Sequence, residues 1–266
     1  GGEGDWPEHV FAQPGNVETT RAWDVDGDGH LEIVPNTPND PLVIYKVRRD
    51  AAGRGTGAFD AYTLYDGKQG HGLGFGDVNG DGRGEIVLAG GWLEAPTGDP
   101  LGGPWTLHEE FDLGSTGIPI LVADVNGDGL NDLIIGGGHA YGLDWYEQVA
   151  RGGAREWVRH PIDPYNSQYH DLQWADIDGD GEMELVTGKR YRAHNGRDAG
   201  AYDDIGIYYF KWMGEGFAKQ VIDYGPARVG KGCGIMFAVA DVNGNGRLDL
   251  VAPGKDGLYL YLNEGL

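Results

Sequence analysis

Cysteine is nearly absent from this chain. Cys233 stands alone among 266 residues, so no intrachain disulfide can staple the fold, and its thiol reads either as a buried core group or as a reactive one. Long apolar runs are missing too, which excludes a membrane-spanning helix; no stretch reads as a signal peptide, and the Gly1-Gly2 start reads as a mature or trimmed end. Positive charge is scarce: 20 Lys and Arg face 42 Asp and Glu, and the formal net charge of -22 disfavours nucleic acid and anionic membrane as partners. Glycine is abundant, 49 residues, but regular hydrophobic runs between the glycines argue for tight turns rather than disorder.

Much of the acidity lies in five copies of one loop. At positions 1, 3, 5, 7 and 9 the first has Asp24, Asp26, Asp28, His30 and Glu32; the second has Asp77, Asn79, Asp81, Arg83 and Glu85. The third has Asp124, Asn126, Asp128, Leu130 and Asp132, the fourth Asp176, Asp178, Asp180, Glu182 and Glu184, and the fifth Asp241, Asn243, Asn245, Arg247 and Asp249. Side-chain oxygens at 1, 3, 5 and 9, a backbone carbonyl at 7 and glycines at 4 and 6 suit a hard cation, which predicts up to five structural calcium ions. The fifth loop is predicted to be the weakest, because Asn243 and Asn245 replace carboxylates. An EF-hand would need a bidentate Glu at position 12 and flanking helices. That position holds Pro35, Leu88, Ile135, Thr187 and Ala252, inside strand-like runs. A plain Asp-Gly hairpin turn would leave converging oxygens to repel one another without a use. Loops that fill only at high calcium predict a secreted or periplasmic setting.

Repeats at intervals of about fifty residues point to a propeller or a solenoid. Each interval reads strand, acidic loop, strand, turn, strand, turn, strand. The predicted fold class is therefore all-β, a five-bladed β-propeller of four-stranded blades over residues 1–266, with the acidic loops between first and second strands. Trp105 to His108 and Trp157 to His160 open outer strands alike, and Trp6 to His9 match them; the N-terminal strand is predicted to complete the last blade and close the ring. A fragment of a larger ring is the alternative.

The loop motif resembles the FG-GAP or VCBS repeats of integrin-like propellers, over nearly the whole chain. That resemblance implies calcium in the loops, and it covers several activities: integrin heads, fungal lectins, aldos-2-ulose dehydratases and polysaccharide lyases acting on uronic-acid polymers. The Trp-x-x-His outer strands look most like the microbial lyases and dehydratases, which have more blades.

Topology sends the variable turns to the face opposite the acidic loops, where a scaffold carries its site. His71 and His170 each lie six residues before the first Asp of a loop, a place held elsewhere by Glu18, Ile118 and Ile235. His139 ends a Gly-Gly-Gly-His turn, and His194 lies in the long blade-four loop. His9, His108 and His160 share one outer-strand position and read as a recurring inter-strand contact. Lys189, Arg190, Tyr191, Arg192 and His194 form a cationic, aromatic segment in an acidic chain, and Arg228, Lys231 and Lys255 are predicted on the same face. As a solvated charge run it needs no ligand; as a binding site it suits an anionic polysaccharide or oligosaccharide, with Trp92, Tyr141, Tyr165 and Tyr169 as platforms for sugar rings. The predicted chemistry is β-elimination at a uronic acid, by a monomer: His170 or His71 as base, Tyr191 as acid or alternate base, Arg190, Arg192 and Lys189 on the carboxylate. His71, His139 and His170 converging on a transition metal such as zinc is the alternative centre. A noncatalytic lectin or adhesion module remains open, as does a glycoside hydrolase drawing a carboxylate pair from Glu18, Glu94, Asp144, Asp171, Asp198, Asp203 and Asp204.

Overall fold

In the computed structural model, which describes residues 8–265, every acidic loop joins two antiparallel strands. The residues after each loop are apolar and β-branched, and they are buried on both faces: Glu85–Leu88 and Asp132–Gly136 have no exposed position. That is the pattern of a strand enclosed in a sheet stack rather than of a helix flanking an EF-hand.

Two compact units form. The first, Gly1–Gln69 with Ala95–Thr106, carries one sheet in the order β1 (Thr19–Trp23), β2 (Glu32–Asn36), β3 (Leu42–Arg49), β4 (Gly55–Tyr65). Val34, Leu42, Ile44 and Leu64 fill its core. The Gln69 side chain, buried, accepts from Asn36 Nδ2 and donates to Thr37 Oγ1, closing the turn after β2.

The second unit, Gly70–Glu94 with Leu107–Leu266, carries the remaining sheets. Blade two is β5 (Leu73–Gly76), β6 (Glu85–Leu88), β7 (Gly91–Glu94) and β8 (Thr106–His108). Blade three is β9 (Leu121–Ala123), β10 (Asp132–Gly136), β11 (Leu143–Arg151) and β12 (Ala154–Pro161). Blade four is β13 (Tyr169–Ala175), β14 (Glu184–Lys189), β15 (Ile205–Trp212) and β16 (Phe217–Gly225). The last sheet has three strands among the described residues, β17 (Ala238–Ala240), β18 (Asp249–Gly254) and β19 (Gly257–Tyr261). The fold class is the all-β, five-bladed propeller class that the repeat predicts. Trp6, the head of the predicted closing strand, lies outside the described residues, and His9 sits in an irregular, exposed stretch. Among the described residues no helix is long and apolar enough to cross a membrane.

Blades three and four share one core: Ile134, Leu143 and Trp145 pack with Leu172, Leu185, Tyr208 and Phe210. Asp163 is the polar anchor at this seam. It is 5% exposed, accepts from Tyr169 Oη (2.8 Å), Asn166 Nδ2 (2.8 Å) and the Tyr165 amide (2.9 Å), and pairs with Lys219 (2.6 Å). Burial opposes its charge, yet Lys219, Asn166 and Tyr169 outweigh that and hold the carboxyl at about 2. The folded state therefore binds this proton more weakly than the unfolded chain, so the stabilisation is full above about pH 4 and is lost as pH falls toward 2. Asp163→Asn is expected to cost about 2–3 kcal/mol at pH 7, read as a fall in melting temperature that narrows on acidification.

Candidate metal and substrate site

Three consecutive blades of the second unit each deliver one histidine to the same place. The segment between blades two and three does the positioning: the Thr116 amide donates to His71 O (2.9 Å), the Ile118 amide donates to His170 O (2.7 Å), and the Gly117 amide donates to Gly136 O (2.6 Å). This lacing requires glycine. A Cβ on Gly136 would lie 2.1 Å from Tyr169 O, and one on Gly117 would lie 2.5 Å from the same oxygen. The Gly-Gly-Gly turn can therefore press against blade four and carry His139 to the other two rings.

The three imidazoles stand mutually near-perpendicular, with interplanar angles of 83°, 85° and 87° and centroid separations of 4.5 to 5.7 Å. His71 Nδ1 donates to Thr116 O at 2.7 Å, which fixes the tautomer and leaves Nε2 as a lone-pair donor. His139 Nδ1 lies 3.0 Å from Asp198 Oδ2, and its Nε2 is 2.8 Å from His71 Nε2. Two nitrogens bound at right angles to one ion would be about 2.9 Å apart, given metal–nitrogen bonds of about 2.0–2.1 Å. A backbone carbonyl behind one ring and a carboxylate behind another are the outer partners that metal-ligating histidines use. Burial, the largest influence on His139, lowers its proton affinity and favours the neutral ligand form over the pull of Asp198. His170 is fully buried, and its ligating atom lies within 4.8 Å of those of His71 and His139.

Arg190 and Asp198 border this cluster. Arg190 Nη2 donates to Gly138 O (2.8 Å) and lies 3.7 Å from Asp198 Oδ2. Asp198 also accepts from His194 Nδ1 at 2.9 Å, and the His194 ring stacks on His139 at 4.7 Å. Asp198 figured in the sequence only among the hydrolase carboxylates; its spacing of four residues from His194 was the signal for this role. The loop is held in unusual backbone geometry: Arg192, His194 and Asn195 have φ of 52°, 46° and 60°. Left-handed non-glycine residues cost on the order of 1–3 kcal/mol each and concentrate at binding sites. Beyond the histidines opens a cleft of about 480 Å³ lined by Arg190, Tyr191, His194, Met236 and Lys255.

Other sequence-predicted residues lie elsewhere. Lys189 is buried, donates to Ser167 Oγ and Gly200 O, and is pushed down to about 8 by burial, so it ties the loop to the sheet instead of facing a carboxylate. Trp92 is 3% exposed under His108, and Tyr169 is fully buried on Asp163, so neither can stack on a sugar. Tyr141 is exposed and donates to Asp203; Tyr165 is exposed. Arg192 and Arg228 are exposed, while Lys231 pairs with Asp256 at 3.2 Å and lies 4.8 Å from the Tyr259 ring. Tyr191 borders the cleft, and its ring lies 6.4 Å from that of Tyr202. Of the hydrolase carboxylates, Asp171 is buried on the Phe237 amide, Glu94 holds His108 and Asp144 holds Arg159. His108 and His160 make the recurring contact expected, each 2.8 Å from a third-strand glutamate, Glu94 and Glu147, and each stacked on tryptophan. Cys233 is a core thiol: burial pushes its proton affinity up, and its Sγ fills the space a Cβ on Gly188 would take.

The acidic loops carry the kinds of oxygen that a hard cation would use. In loops two to five the first Asp accepts three backbone amides, as Asp77 does from Gly80 (2.7 Å), Asp81 (3.1 Å) and Gly82 (2.9 Å). The position-9 carboxylate accepts the amide of position 2 in all five loops. These bonds fix the loop; Asp24 Oδ1, Glu32 Oε1 and Glu184 Oε1 are buried without a hydrogen-bond partner, with the Lys46 and Lys211 ammonium groups 3.6 and 3.5 Å from the two glutamate oxygens. Burial pushes Glu85 up to about 7 and Asp132 to about 6, a cost that a bound divalent ion would reverse. The all-oxygen donor set fits calcium.

No curated protein matches the chain. Among solved structures, the V. cholerae biofilm matrix protein Bap1 is similar at 20% identity with a TM-score of 0.38, over 83% of this chain and 30% of that one, so the chain spans under a third of that protein's length. Residues 124–187, from the third acidic loop to the strand beyond the fourth, match the FG-GAP-like repeat.

Proposed function

We propose that this chain is a calcium-stabilised, extracytoplasmic propeller that acts on an anionic polysaccharide by β-elimination at a uronic acid, at a divalent transition-metal centre formed by His71, His139 and His170. The observation that carries this reading is the convergence of three near-perpendicular imidazoles, two of them with Nδ1 anchored on Thr116 O and Asp198 so that Nε2 faces the common centre. Calcium would be held by the oxygens of the second, third and fifth loops, where it would supply structural rigidity rather than chemistry. A transition metal at the histidines would neutralise the substrate carboxylate and so acidify the adjacent C–H.

The residues around that centre supply the remaining parts. Arg190 and Lys255 line the cleft and bring positive charge to it for a second contact to the carboxylate. His194 donates Nδ1–H to Asp198 and is half exposed, so its Nε2 is the accessible proton acceptor; His170, fully buried, and His71, engaged at both nitrogens, are not. In the elimination the proton beside the carboxylate passes to His194, the C–O bond to the next sugar breaks, a carbon–carbon double bond forms, and Tyr191 protonates the departing oxygen. The test is absorbance near about 235 nm, the unsaturated uronate chromophore, on incubation of the metal-loaded protein with uronate polymers. A rise that a chelator abolishes is expected. Binding to the same polymers without any chromophore would make the propeller a lectin instead.

A further inference from the structure

Register places a different residue beside each acidic loop. The antiparallel pairs Ile33↔Tyr45, Ile86↔Leu93, Leu133↔Tyr146, Leu185↔Phe210 and Leu250↔Tyr261 set the third-strand residue opposite each position-9 acid, one step along. Opposite Glu32 and Glu184 stand Lys46 and Lys211; opposite Glu85 and Asp132 stand Glu94 and Glu147; opposite Asp249 stands Leu262. The two lysine-bearing loops are also the two with Asp at position 3, Asp26 and Asp178. The other three have Asn79, Asn126 and Asn243 there. An extra loop carboxylate thus travels with an extra cation.

The side chains meet as the register requires. In the first unit Lys46 Nζ bonds Asp26 and Asp28 (2.6 Å to the latter) and lies 3.6 Å from Glu32 Oε1. In the second unit Lys211 Nζ bonds Asp178 (2.9 Å) and Asp180, and lies 3.5 Å from Glu184 Oε1. Each ammonium touches the acids of positions 3, 5 and 9, the oxygens that would wrap an ion. In loops two and three the corresponding glutamate adds a carboxylate: Glu147 Oε1 accepts from Asn126 Nδ2 at 3.3 Å.

We infer that Lys46 and Lys211 are tethered cations that take calcium's place in the first and fourth loops, so that calcium uptake is confined to the others. Resting on the calcium reading of those other loops, the inference divides one repeated motif into two kinds: loops whose ion position is held by a tethered ammonium at any calcium level, and loops that fill only when the ion is present. Two of the five blades would then keep their loop order in calcium-poor surroundings.

Bound calcium per chain, counted by native mass spectrometry and equilibrium dialysis, tests this. Wild type is expected to take at most three ions, and Lys46→Met/Lys211→Met to take two more. The reciprocal variant Asn126→Asp/Glu147→Lys, which builds the lysine arrangement into loop three, is expected to lose one. A count unchanged by removing the lysines overturns the inference, whatever that count is. A wild-type count of zero with two gained in the lysine variant would remove the calcium reading of the other loops and leave the tethered lysines standing.

Discussion

His139→Ala is expected to lower kcat/KM on a uronate polymer by at least about a hundredfold and to abolish transition-metal retention, with little change in melting temperature. The ring is one of three ligands and the one whose Nε2 meets His71 Nε2 at 2.8 Å, so removing it opens the centre. Its backbone lies in a turn whose packing depends on the glycines before it, above all Gly136 against Tyr169 O, and those contacts survive the substitution. Asp198→Asn separates positioning from ligation. The amide can still accept from His194 but no longer supports His139 as a carboxylate does, and metal affinity is expected to fall about 10–100-fold while the site remains assembled. Steady-state turnover together with metal content after dialysis reads both variants. Wild-type turnover in His139→Ala would move the chemistry away from this cluster.

Calcium removal is the second large effect. With Glu85 and Asp132 fully buried and pushed up to about 7 and about 6, the second and third loops are under-neutralised without an ion. An ion at about 100-fold above its Kd stabilises the native state by about 2.7 kcal/mol per site. For a chain of this size each kcal/mol moves the melting temperature by about 2–4 °C, so two filled loops account for a shift of about 10–20 °C. Thermal melts with excess EGTA and with millimolar calcium are the comparison, and Asp132→Asn should remove roughly half of the shift. A melt that ignores chelator would mean the loops are hairpin turns shaped by their amide bonds alone.

The scaffold was legible because its signal repeats. Five loops with fixed glycines and acids mark strand ends on both sides, and strands such as Glu85–Leu88 and Asp132–Gly136 begin at the ninth position of their loops. His71 and His170 were legible as a pair because the repeat puts them at one position in two blades. Their meeting with His139 was not, since it depends on how closely the Gly136 and Gly117 backbones approach blade four, which no periodicity encodes. The same blindness applies to Lys189, Trp92 and Tyr169. Read as exposed turn residues, they lie in or at the ends of strands whose side chains turn inward, and Lys189 is enclosed by Ser167 and Gly200. The lysines in the first and fourth loops were hidden for a different reason. They lie in the third strand, outside the motif, and reach it only through strand register.

The most direct test of the three-histidine centre is titration of the metal-free protein with cobalt(II), followed by its visible absorption, for wild type and for His71→Ala, His139→Ala and His170→Ala. One saturable band at one cobalt per chain, lost in all three variants, is the predicted result; no band in wild type, or a band that persists when any of the three rings is removed, contradicts the account.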